Sequence, residues 1–227
     1  MRKFLVFIAV LLFSGVSPAL TLDQISGTES AGGLKEALTQ GAGKAVELLG
    51  AKDGFLGNPK VKIGLPGNLD KAAKMMRKLG MGGTIDELET AMNRAAEAAV
   101  PEAKKLLVDS IKSMSVDDAK GILTGGDNAA TEYFKRSTSE PLKEKFKPIV
   151  QQAMAKVKVA DAFDNFAGKA ATFGVIKKED AQLDNYVTGK ALDGLYKMIA
   201  EEEKAIRSNP IGAAGNLAKK VFGALGK

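Results

Sequence analysis

Residues 84–107 read TIDELETAMNRAAEAAVPEAKKLL, and the fold class is decided there. Ile85, Leu88, Met92, Ala95, Ala96, Ala99, Ala103, Leu106 and Leu107 fall on one arc of a helical wheel, with polar residues on the other. Thr84 and Glu87 have the spacing of a capping box, in which each side chain satisfies the other residue's backbone amide. Pro101 lies opposite the stripe, so it should kink the helix toward solvent or split it in two. The many alanines predict that neighbouring helices approach closely.

The same pattern recurs outward in both directions. Residues 31–50 place Leu34, Leu38, Ala42, Ala45, Val46 and Leu49 on one side, and Gly50 closes that helix. Residues 53–68, DGFLGNPKVKIGLPGN, are too rich in Gly and Pro for a long helix. Their centre, 60–65, alternates polar and apolar and predicts one short strand or extended arm. Further helices are expected over about 69–79, from Ser115 to about Leu123, over 138–159 with Pro141 in its first turn, over 184–207, and over about 211–225. Lys177–Asp180 reads as a polar turn. Aromatics are only 6% of the chain and β-branched runs are rare. The expected architecture is therefore all-α: a single-domain bundle with kinked long helices and at most one extended or β segment near 60–65.

The N-terminus, MRKFLVFIAVLLFSGVSPAL, has a basic start, an apolar run over 4–13 and small residues before Ala19. This predicts a Sec-type signal peptide over 1–19, cut after Ala19, a flexible mature N-terminus over 20–30 and a helical domain over 31–227. The apolar run is shorter than the roughly 20 residues a membrane span needs. The expected location is periplasmic or secreted.

Composition excludes several chemistries. The chain has no Cys and no His. Zinc sites and His-dependent triads are therefore ruled out, and no metal site or cofactor is expected. The full chain carries +6, spread with alternating sign rather than gathered in a patch, which argues against nucleic acid as a partner. GAGKAVE at 41–47 lacks the first Gly and the Ser or Thr of a phosphate-binding loop, and reads as helix.

Polar density is greatest in TGGDNAATEYFKRST, 124–138. Asp127 is expected to cap a helix after Gly125-Gly126, with Ala130, Tyr133 and Phe134 inward and Glu132 paired with Arg136. Arg94 and Glu97 are i,i+3 neighbours and read either as a surface pair or, where this face meets a second layer, with Glu97 partly buried against Arg136 or Lys135. Arg94, Glu97, Glu132, Tyr133 and Arg136 are thus candidates for one polar network. The alternative makes Glu132 a general acid, with Glu97 or Asp127 as its partner, in glycan cleavage directed at peptidoglycan. Lys219, Lys220 and Phe222 of the cationic C-terminal helix are candidates for contact with a membrane surface, unless that helix docks on its own domain.

The strings DGFLGNPKVKIGLP, MNRAAEAAVP, IKSMSVDDAKGIL, AATEYFKRST, FKPIV, YVTGKALDGLYKMIAEEE, IRSNP and KKVFG occur in this order. Together they resemble the bacterial exported family known as domain of unknown function 4197. The resemblance implies an exported, mainly helical single domain with no established activity, and it carries over no catalytic or binding residue. Arg94, Glu97, Glu132, Tyr133, Tyr186, Glu202 and Arg207 lie within those strings as candidates for shared polar contacts. The expected function is a non-enzymatic binding or interaction protein. Its expected partner is a lipid or other apolar small molecule between the helices, an envelope protein or a membrane surface.

Overall fold

A computed structural model describes residues 25–67, 77, 82–156, 182–209 and 215–225. The signal peptide, the helix expected over 69–79 and the turn expected over 177–180 lie outside these residues, apart from Arg77. Among the described residues the regular structure is entirely helical: α1 (Gly27–Gly50), α2 (Gly82–Ala99), a 3-10 turn (Val100–Glu102), α3 (Ala103–Ser113), α4 (Val116–Thr124), α5 (Ala129–Met154), α6 (Leu183–Ser208) and α7 (Asn216–Leu225). No described helix is long and apolar enough to cross a membrane.

The central stripe behaves as its pattern requires. Met92, Ala95, Ala96, Ala99 and Ala103 are fully buried, and the helix breaks into a 3-10 turn at Pro101, whose ring cannot continue the α ladder. The start differs from expectation. Helix α2 begins at Gly82, so Thr84 sits inside the first turn rather than at the cap. Helix α1 begins at Gly27 instead of 31, because Ser26 accepts a hydrogen bond from the Glu29 amide at 3.2 Å. The Ser-x-x-Glu signature, Ser26 to Glu29, begins five residues ahead of the helix expected at 31. Helix α4 is capped as expected, with Ser115 and Asp118 forming a complete capping box.

The largest departure is α5. The helix expected to start near Asp127 and the one expected at 138–159 are a single helix, with Pro141 and Pro148 in its interior. Each proline removes one hydrogen bond from the ladder. An unbroken row of buried side chains at i+4 spacing, Phe134, Thr138, Leu142, Phe146, Val150 and Met154, offsets that loss through tertiary packing. Helix α6 lies against α5, α1 and α2, while α1 also carries α3, α4 and α7.

The C-terminal helix docks on its own domain. Ala218, Val221 and Phe222 are buried, and α7 crosses α1 at Gly33, where an added Cβ would stand 2.6 Å from Val221 Cγ2. Of the three residues considered for a membrane surface, Phe222 is therefore turned inward, and Lys220 pairs with Glu29 at 3.3 Å. Lys219 remains exposed.

Candidate functional site

Two buried polar anchors and a third that is half-buried hold the segment that follows α1. The first is Glu97 on α2, whose Oε1 accepts the Phe55 and Leu56 amides at 3.0 and 3.1 Å. Its Oε2 accepts Arg94 at 2.6 Å, and Arg94 reaches on to Asp53 at 2.7 Å. Asp53 has a φ of 68°, a left-handed conformation that Asp tolerates better than most residues. Hydrogen bonds from Arg94 to Glu97 first, and to Asp53 second, raise the guanidinium pKa above its ordinary value. Glu97 is thus a structural acceptor for a turn, paired with Arg94 and not with Arg136 or Lys135.

The second anchor is Asn93, one helical turn before Glu97. Its Oδ1 accepts the Ile63 amide at 2.8 Å, and its Nδ2 donates to the Ile63 carbonyl at 2.8 Å and to Glu89 O at 2.7 Å. A side-chain amide here takes the place of a neighbouring β-strand at Ile63, so residues 62–66 stand outside any helix or sheet. Residues 59–61, expected in part to be extended, form a turn closed by the Val61 and Lys62 amides on Asn58 O. Val61, Ile63 and Leu65 are buried while Lys60 and Lys62 are exposed, matching the alternation in the sequence. The third anchor is Tyr186 on α6, whose hydroxyl donates to Gly64 O at 3.0 Å.

Gly194 permits the approach of this segment to α6. A Cβ there would stand 2.6 Å from Phe55 Cε1 and 3.4 Å from Val61 Cβ. Lys197 Nζ donates to Lys60 O at 2.8 Å, and Lys60 Nζ pairs with Glu201 at 2.7 Å. Between these tethers and Tyr186 lies a groove of about 250 Å³. Lys60, Lys62, Lys190 and Lys197 line it with a single carboxylate, Asp193. Lys190 pairs with Asp193 at 3.4 Å and lies 5.8 Å from the Tyr186 ring centroid. On the other flank of α6, Asp193 and Lys197 also line a depression of about 190 Å³ against the start of α5, together with Thr131, Glu132, Lys135 and Tyr196. The outward stripe of α6 therefore separates two shallow basins and serves both.

A second buried cluster closes the junction of α4 and α5. Asp127 does not cap α5, and Asn128 at the N-cap position makes no side-chain cap bond. The carboxylate of Glu203 on α6 does this instead, accepting the Ala130 amide at 3.0 Å, the Thr131 amide at 2.9 Å and the Thr131 hydroxyl at 2.8 Å. Arg207 donates to Glu203 at 2.9 and 3.2 Å and to Ile122 O, near the end of α4, at 2.8 Å. Negative charge thus meets one helix N-terminus and positive charge meets the C-terminus of the helix before it.

The single polar network expected from sequence is not assembled. Arg94 and Glu97 meet each other and Asp53. Glu132 is exposed and pairs with Lys135 at 2.7 Å, not with Arg136. Its orientation is set by the shorter i,i+3 reach along the solvent face. Tyr133 donates to Ser110 O at 2.9 Å, and the positive charge of Arg136 is felt by Asp118. Glu97 and Glu132 therefore belong to separate sets of contacts. Sequence reasoning missed Asn93, Lys197 and Glu203. Glu203 had a signal: it follows Leu195 and Ile199 at i+4, an acid on the apolar stripe of α6. Asn93 likewise adjoins Met92 within the stripe of α2.

Among the described residues, no group of three or more acids is gathered as metal ligands. No curated protein and no solved structure matches the chain at a significant level. One family model does, over residues 24–223, and its description is "Protein of unknown function (DUF4197)".

Proposed function

The chain belongs to the DUF4197 family, and because that family's description carries no activity we propose a function from the chain's own geometry: a non-enzymatic binding or interaction protein of the bacterial envelope, exported by its N-terminal signal, whose binding face is the outward stripe of α6. The observation that carries this reading is the groove between residues 60–64 and α6. Three polar anchors, two of them buried, fix its wall, and four lysines line it against one carboxylate. Rigid placement of a backbone segment and its charges is the preorganisation that binding sites require.

The ligand this face favours carries negative charge. An apolar ligand between helices has less support, since the alanine faces of α2 are packed against their neighbours. Lysine footprinting tests the reading. The protein isolated in contact with an envelope extract should show Lys62, Lys190 and Lys197 protected from acylation, with Lys104 and Lys105 on α3 unchanged. Uniform labelling of all five would remove the basis for placing the binding face here. Native mass spectrometry of the same sample distinguishes a bound lipid from a bound protein.

One observation favours glycan cleavage as a second reading. Glu132 and Asp193 line the same depression. Both are largely exposed and lysine-paired, however, without the desolvated surroundings that set a general acid apart from an ordinary surface carboxylate. Incubation with purified peptidoglycan should release no soluble fragments. Release that Glu132→Gln abolishes would establish the enzyme instead.

A further inference from the structure

We propose that the open edge of residues 62–64 docks an acidic peptide in extended conformation, one residue of which pairs in parallel register with Ile63. This rests on the reading of α6 as the binding face and specifies its ligand.

The argument begins with Ile63. Its N–H and C=O both meet the Asn93 amide, so both point to one edge of the chain, as they do in extended backbone. The corresponding groups of residues 62 and 64 then lie on the opposite edge. Two of those four are already used: the Lys62 N–H donates to Asn58 O at 2.8 Å, and Gly64 O accepts Tyr186. The Lys62 carbonyl and the Gly64 amide remain, and neither has a partner among the described residues. An acceptor on residue 62 and a donor on residue 64 are the two groups that one residue of a parallel strand engages, its N–H on the first and its C=O on the second.

The chemistry of the surroundings selects the partner. Both residues line the groove, and an added Cβ at Gly64 would meet nothing within 4 Å, so the face of the chain beside that edge is open. A phosphate or free carboxylate would satisfy Lys62, Lys190 and Lys197 but offers no donor to the Lys62 carbonyl. A peptide backbone supplies donor and acceptor at the required spacing, and acidic side chains on it meet the lysines. This is strand addition to an isolated edge, in which main-chain bonds give affinity and flanking charges give specificity. The paired stretch is short, because Lys197 holds Lys60 and Tyr186 holds Gly64 on either side.

Fluorescence anisotropy with the full mature chain tests this directly. The probe is a labelled, N-acetylated and C-amidated hexapeptide of alternating Glu and Val. It should bind, and a Lys/Val counterpart should not. Methylation of the peptide's backbone nitrogens should weaken binding by about tenfold or more, the weight of one or two lost hydrogen bonds. Gly64→Pro removes the amide donor without altering charge, and the residue before a proline already favours the extended conformation of Ile63. It should weaken the hexapeptide to the same degree. Lys62→Glu keeps the test independent of whether the proline variant folds, and it too should reduce binding about tenfold.

Failure of the acidic hexapeptide to bind overturns the proposal. So does binding indifferent to N-methylation, which would mean charge alone, or uptake by phosphatidylglycerol vesicles without peptide binding, which would make the ligand a lipid surface. Lysine protection by the envelope extract without hexapeptide binding would sink the peptide and leave the α6 binding face standing.

Discussion

Glu201, Glu202 and Glu203 are adjacent in sequence and have three different environments, so alanine at each isolates what burial does to a carboxylate. Glu203 is 2% exposed and accepts two amides, a hydroxyl and two N–H groups of Arg207, itself 14% exposed. Removing one partner of a buried ion pair costs about 3–5 kcal/mol, chiefly because the other charge is left buried without compensation. The cap on α5 contributes about 1 kcal/mol within that figure rather than beyond it, since the same oxygens do both. Arg207 keeps a bond to Ile122 O and some solvent, which places Glu203→Ala near the lower end, about 3 kcal/mol. Glu202 pairs with Lys44, whose side chain is 61% exposed, and Glu201 with the exposed Lys60. Their alanine variants should each lose about 0–1 kcal/mol. Urea unfolding followed by circular dichroism reads these differences as shifts in midpoint at a common slope. The double variant Glu203→Ala, Arg207→Ala should recover part of the loss, with a coupling of about 2 kcal/mol. A Glu203→Ala midpoint within about 1 kcal/mol of Glu202→Ala would refute the claim that this carboxylate closes the α4–α5 junction.

Asn93→Leu should destabilise by about 2–4 kcal/mol in the same assay, because it strands the buried Ile63 amide and carbonyl. It should also speed amide exchange over 60–65 more than elsewhere. Gly33→Ala forces a methyl to 2.6 Å from Val221 Cγ2 and 2.7 Å from Leu217 O, which should cost about 1–3 kcal/mol. Limited proteolysis should then cut ahead of α7 first. Hydrogen bonds from Ser115 hold the Asp118 carboxyl below the ordinary aspartate range, so its contribution is present above that range and fades as pH falls through the lowered value. Carbon-detected titration should show that shift in the parent and its loss in Ser115→Ala, with no change at Asp109.

What could be read from the chain follows the range of the interaction responsible. The stripe of α2, its break at Pro101, the inward face of α6 and the alternation over 60–65 are set by neighbours within one or two turns, and periodicity reports them. The merging of two expected helices into α5 is not, since two internal prolines argue against it locally and only a long buried row from Phe134 to Met154 overrides them. The one pair of the expected polar network that forms does so for the same reason. Arg94 and Glu97 are near in sequence and do pair. The capping of α5 by Glu203 spans more than seventy residues, and no spacing rule points from one to the other. The groove is equally nonlocal, because its walls come from 60–64 and from α6. Even so, Gly194, the one Gly on that inward face, marked the place where another segment would press close.

The position of α6 in the chain bears on when the fold can close. Glu203, Arg207, Tyr186 and Lys197 are the fasteners for α4, α5 and the 60–64 segment, and all are made after residue 182. While the ribosome is still upstream of α6, the finished helices lack both their central strut and these bonds. A nascent chain so arranged should stay loose until synthesis is nearly complete. Moving α6 to the front by circular permutation would make the fasteners available from the start of synthesis and should bring forward the onset of protease resistance in the nascent chain while leaving the final fold intact.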